Sequence, residues 1–161
     1  MDKSWIPKDS DIPIQIYTRI NHISTDEMLG VRTPKSSKIY AICSPLLMKN
    51  KQLKVKCSDG VDKHWPLGHG EFRISGNLGP LVPTIADAKS NGFDDVLWTL
   101  DDYVKEFTVL NVFVLWKSRY GEVELITPPI DGCIFNGTLR KSLVEMKDKI
   151  FKEKNVKLVE R

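Results

Sequence analysis

Arg73 stands in the stretch Glu-Phe-Arg-Ile-Ser-Gly-Asn-Leu-Gly at residues 71–79. Its guanidinium stays protonated at any physiological pH, so it can hold a phosphate or carboxylate but cannot act as an amine nucleophile. Asn136 is a good N-cap type and predicts a helix at about 137–153, with Thr138 and Leu139 in its first turn. Backbone N–H groups there attract anions, although every helix start carries such groups. Glu106 is a lone carboxylate between strand-like runs, a setting typical of a solvated or salt-bridged residue. The widely spaced Cys43, Cys57 and Cys133 form no C-x-x-C pair, and an odd count argues against a disulfide framework and for a reducing compartment. His22, His64 and His69 lack the spacing of a zinc site.

The elements that must position these groups follow from composition and pattern. The 161 residues suit one domain or slightly more, and a globule of this size buries roughly 70% of its unfolded surface. A hydrophobic fraction of 41% and a charged fraction of 28% are ordinary for a globular protein. The net charge of +3 comes from interleaved acids and bases, which argues against a nucleic-acid surface. The basic run at 147–157 reads as a solvated helix face. No apolar run reaches the roughly 18 residues of a membrane helix, and the first residues resemble neither a signal peptide nor a presequence.

Residues 1–12 read as an extended arm. Alternation predicts strands at 13–21, 38–44 and 53–57, with a loop at 24–37. Residues 58–79, rich in glycine, read as irregular, the kind of long segment that is functional or a linker. Pro80 and Pro83 suit the first turn of a helix and Gly92 its cap, which places a helix at about 80–91. Strands follow at 96–100 and 110–116, a hairpin turn at 117–122, a returning strand at 123–127 and a short strand at 133–135. In the helix at 137–153, Leu139, Leu143, Met146 and Ile150 share one face, and a last strand begins at 157. The order predicts an α+β fold with mainly antiparallel pairing and two main helices.

Residues 71–79 resemble the segment Lys-x-Gly-Gly-Asn-Tyr that carries the cofactor lysine of branched-chain aminotransferases, with Arg73 at the lysine and Leu78 at the tyrosine. The resemblance runs along nearly the whole chain. Trp5-Ile6-Pro7, Tyr17-Thr18-Arg19, Leu29-Gly30-Val31 with Pro34, and Ser44-Pro45 match early elements of that family in order. Gly92-Phe93, Val96-Leu97-Trp98, the stretch from Glu106 to Asn111, Thr127-Pro128-Pro129 with Asp131-Gly132, and the stretch from Asn136 to Arg140 match later ones. Val159-Glu160-Arg161 matches a strand beyond them. An ordered series of this kind is more specific than any single motif.

The resemblance implies a partial fold-type-IV aminotransferase architecture, with a mainly antiparallel sheet or pseudo-barrel. It implies an arm and remnant of the small domain at 1–50 and an incomplete large domain at 51–161. In the family the lysine forms an imine with pyridoxal phosphate, a step closed to Arg73. Glu106 falls at the carboxylate that pairs with the pyridine nitrogen, and Lys63 at a phosphate-binding arginine whose bidentate fork is thereby lost. Thr138 and Leu139 fall where backbone groups hold the phosphate. Thr108 and Val109 stand for a Gly-Thr pair, which displaces a hydroxyl. Tyr17 and Arg19 match the substrate pocket. These positions are vestigial on this reading, and Leu78 takes a core role.

The first expectation is therefore a non-catalytic relative with no cofactor, acting as a structural or interaction subunit beside other protein subunits or a full-length relative. The alternatives are a module that binds pyridoxal phosphate or another phosphate ester, and a transaminase in which another lysine such as Lys63 substitutes or a partner chain completes the site. The family implies an intracellular location, with the mitochondrion placed ahead of the cytoplasm.

Overall fold

The computed structural model describes residues 14–47, 52–58, 60–152 and 155–161. The chain divides into two compact units, Met1–Gln52 and Leu53–Arg161. The expected arm at 1–12 lies outside the described residues.

In the first unit, β1 (Ile14–Ser24) pairs antiparallel with β2 (Ser37–Leu47) over their full length, so both strands are longer than alternation predicted. Period-two geometry puts Ile16, Thr18 and Ile20 opposite Pro45, Cys43 and Ala41 on one face, and Tyr17 and Arg19 opposite Ser44 and Ile42 on the other. The connecting loop is tied by one carboxylate. Asp26 accepts hydrogen bonds from the backbone N–H of Lys35 (2.8 Å) and Ser36 (2.9 Å) and from the Ser36 hydroxyl (2.8 Å). These donors hold its pKa below the ordinary value. Leu29 and Val31, near the loop tip, are fully exposed.

The second unit holds two three-stranded sheets. In one, β3 (Val55–Cys57) lies parallel to β4 (Asp95–Leu100), which pairs antiparallel with β5 (Tyr103–Phe107). Asp101 and Asp102 make the two-residue turn between β4 and β5, both with positive φ, as a type I′ turn requires. In the other sheet, β6 (Val114–Lys117) and β7 (Val123–Thr127) form the expected hairpin, and β8 (Val156–Glu160) joins β7 in parallel. Among the described residues, three of the five strand pairings are antiparallel.

The irregular segment at 58–79 contains one helical turn, α1 (Ser75–Leu78), which leads through a 3₁₀ turn into α2 (Val82–Ser90). α2 covers β4, and Leu81, Ala88, Val96 and Trp98 form a core with Leu78, Ile85 and Phe93 packed against it. Trp98 is fully buried, and its indole N–H reaches the Thr108 hydroxyl at 3.2 Å.

Several expectations are corrected here. The helix at 137–153 is broken at Met146 into α3 (Thr138–Glu145) and α4 (Lys147–Phe151), and its N-cap is Gly137 rather than Asn136. Leu139 is 74% exposed, so the apolar stripe does not begin where helical spacing placed it. Residues 133–135 form no strand: Cys133 and Ile134 are buried without ladder bonds. The strand expected at 110–116 starts only at Val114, because residues 107–110 make a tight turn closed by the Phe107 N–H on the Leu110 carbonyl at 2.9 Å.

Candidate functional site

That turn organises the polar centre of the second unit. Glu106, at the end of β5, has a side chain only 2% exposed. Its Oε1 accepts the Lys63 ammonium at 2.7 Å. Its Oε2 accepts the Phe135 backbone N–H at 3.1 Å and the Asn111 amide at 3.3 Å. Lys63, 5% exposed at its side chain, also donates to the carbonyls of Phe107 (3.1 Å) and Thr108 (2.9 Å). An ammonium has three protons, and these three acceptors use them all. Burial pushes Lys63 down and Glu106 up, while each charge opposes the shift of the other.

Arg73 lies at the rim. Its Nη2 donates to the Val109 carbonyl at 2.7 Å, and its guanidinium carbon sits 4.3 Å from the centre of the Phe135 ring, a cation–π distance. Two cations therefore take three successive carbonyls of one turn. Asn111 ties the helix start to the same cluster by donating to the Phe135 carbonyl at 2.7 Å, two residues before the Gly137 cap. Lys63 is delivered by a segment that can approach closely because Gly70 has no side chain. A Cβ there would strike the Gly132 carbonyl and the His64 ring. His64 is buried beside Lys63, and the two effects push it down to about 4.

The structure thus gathers Lys63, Arg73, Glu106 and the approach to Thr138 into one cluster. Thr138 and Leu139 are exposed in the first turn of α3. Tyr17 and Arg19 lie in the other unit, two positions apart on one face of β1. The sequence assigns no site role to Asn111, Phe135 or His64: the first two meet Glu106 from 5 and 29 positions away, and His64 is set by its burial beside Lys63. Nor does it assign one to Arg140. That side chain is buried on α3 and donates to the Pro128 carbonyl (2.7 Å) and Glu160 (2.5 Å), fastening the helix to β8. Cys133 is buried and its thiol is pushed up to about 11, so it stays protonated. A groove of about 890 Å³ beside β7, β8 and α4 is lined in part by the basic run at 147–157, and contains none of the candidate cofactor or substrate residues. Among the described residues, no group of His, Cys, Asp or Glu is arranged to hold a metal ion, and no helix is long and apolar enough to cross a membrane.

Comparison with known proteins gives this arrangement its class. The pattern of the family described as amino-transferase class IV matches residues 13–161, and the chain belongs to that family. Branched-chain-amino-acid aminotransferases are among the curated relatives it matches. The Dictyostelium discoideum protein is 36% identical over 151 residues, covering 91% of this chain and 39% of its own length. The mitochondrial protein of Schizosaccharomyces pombe is 33% identical, covering 90% of this chain and 35% of its own length. The chain thus spans under two fifths of the length of these two relatives. The fold agrees with solved structures. The Escherichia coli branched-chain amino acid aminotransferase superposes with a TM-score of 0.67 at 18% identity, covering 91% of this chain and 46% of that one. A Brucella abortus aminotransferase bound to pyridoxal phosphate superposes with a TM-score of 0.68 at 20% identity, covering 90% of this chain and 50% of that one. The partial fold-type-IV architecture expected from the motifs is the one observed.

As arranged, the side chains of the cluster do not fit an imine-bound pyridoxal phosphate. Position 73 offers no deprotonating amine, and the amine the cluster does contain, on Lys63, is engaged as an ammonium with Glu106 and two carbonyls. The Glu106 carboxylate already accepts an ammonium, an amide and a backbone N–H from the chain itself.

Proposed function

We propose that this chain is a non-catalytic member of the branched-chain aminotransferase group, acting as a structural or interaction subunit rather than as a transaminase. The observation that carries this reading is the guanidinium at position 73, engaged with Val109 and Phe135, where the motif resemblance puts the imine-forming lysine. Two other features support it. Lys63, Glu106, Thr138 and Leu139 are vestiges of a cofactor site on this reading, and the first two are bonded to each other. The exposed Leu29 and Val31 on the Asp26-tied loop, and Leu115 and Trp116 on β6, offer apolar contacts suited to a protein partner, either further subunits or a full-length relative.

Borohydride reduction in the presence of pyridoxal phosphate, followed by peptide mapping, tests the claim. A non-catalytic chain gives no stoichiometric adduct on any one lysine. A single modified lysine would favour a transaminase completed by a partner chain.

A second reading has a specific observation in its favour. The likeness to the pyridoxal phosphate-bound Brucella protein, together with the exposed first turn of α3, supports non-covalent capture of that cofactor or another phosphate ester at Thr138 and Leu139. A titration followed by cofactor fluorescence separates it from the first reading.

A further inference from the structure

We infer that Lys63, Glu106 and Arg73 together stand in for a bound cofactor, so that the unit at 53–161 is fully stable with its polar centre closed by its own side chains. This deepens, and rests on, the non-catalytic reading.

The argument starts from the cost of a buried charge. A carboxylate 2% exposed, with no counter-charge, is strongly destabilising, and a site built to receive a protonated ring leaves such a group behind when empty. Here the counter-charge is covalently part of the chain and in contact at 2.7 Å. The three ammonium protons of Lys63 are all committed. Glu106 takes one donor on Oε1 and two on Oε2, and its side chain is only 2% exposed, so it is enclosed by the chain's own groups. Arg73 completes the closure from outside by taking the next carbonyl of the turn, at Val109, and covering the Phe135 ring, whose own backbone N–H is on Glu106. Four separate segments, around positions 63, 73, 106–111 and 135, meet in this one cluster. A ligand that engaged Glu106 would have to open this enclosure, and one that took the place of Lys63 would leave that ammonium buried beside two carbonyls. Lys63 and Arg73 are thus positioning residues that hold the centre shut.

Thermal unfolding of the whole chain, with and without about 1 mM pyridoxal phosphate, reads this directly, because a ligand that binds only the folded state raises the midpoint by mass action. The expected shift is under about 1 °C. In the same assay Lys63→Met and Glu106→Gln each lower the midpoint by roughly 10 °C, whereas Lys63→Met/Glu106→Leu regains at least half of the loss. A double variant that loses the sum of the single losses overturns the inference. So does a saturable rise of the wild-type midpoint with pyridoxal phosphate that inorganic phosphate does not reproduce, with no borohydride adduct, which leaves the non-catalytic reading standing. A specific lysine adduct overturns the non-catalytic reading itself. Should a single variant fail to fold, the wild-type measurement decides alone.

Discussion

Asp26 and Glu106 are both carboxylates that draw donors from several chain segments, one in each unit of the molecule. Asp26 gathers two backbone N–H groups and a hydroxyl within a surface loop. Glu106 gathers an ammonium, an amide and one N–H in a buried centre. The shifts run in opposite directions: Asp26 is held down by its donors, and Glu106 is raised because burial outweighs them. At the surface, hydrogen bonds order a loop that water could otherwise solvate. In the interior they offset a desolvation cost that has no other remedy.

The same carboxylate-to-amide change at the two places should sharpen this contrast. Glu106→Gln leaves the Lys63 ammonium buried without a charge partner and is expected to cost about 3–5 kcal/mol of global stability, measured by urea unfolding. A loss below about 1 kcal/mol would show that water already reaches the pair.

The next largest effect is set by pH. His64 is 7% exposed and held down to about 4, so the folded state binds its proton less readily than the unfolded chain. The unfolded state then carries more protons between about 6.5 and 4, and stability falls as pH is lowered through that window, by at most about 3 kcal/mol. His64→Gln should flatten that part of the profile. An unchanged slope would place the titration elsewhere.

Asp26→Asn is the mildest. It should leave the global midpoint within about 1 °C while raising proteolytic cleavage within residues 25–36 several-fold. The wild-type loop should loosen likewise as pH falls below the ordinary aspartate value of 3.8, since its donors stabilise the ionised form. Equal losses from the two amide substitutions would erase the distinction between the units.

How far the sequence reached follows the range of the forces involved. The β6–β7 hairpin was legible because Gly121 and alternating apolar residues act locally. The helix at 82–90 was legible from its prolines and from Gly92. β5 was not, because its turn uses Asp101-Asp102 in place of the usual glycine-bearing pair. The break at Met146 was missed because the periodicity of Leu143 and Ile150 continues across it. Of the cluster, Arg73, Glu106 and Lys63 were named one by one, as individual vestiges of a family site. Their union was not foreseen.

The chain's residue types alone fix that position 73 carries a permanent cation and cannot form an imine, since that is a property of the guanidinium wherever it lies. The ordered motifs likewise placed the chain in its family. Only the tertiary structure decided that Lys63 would spend its charge on Glu106 and that Arg73 would cover Phe135. Those partners are 43 and 62 residues apart, a separation of 106 from 63 and of 135 from 73, and burial rather than spacing makes each choose the other.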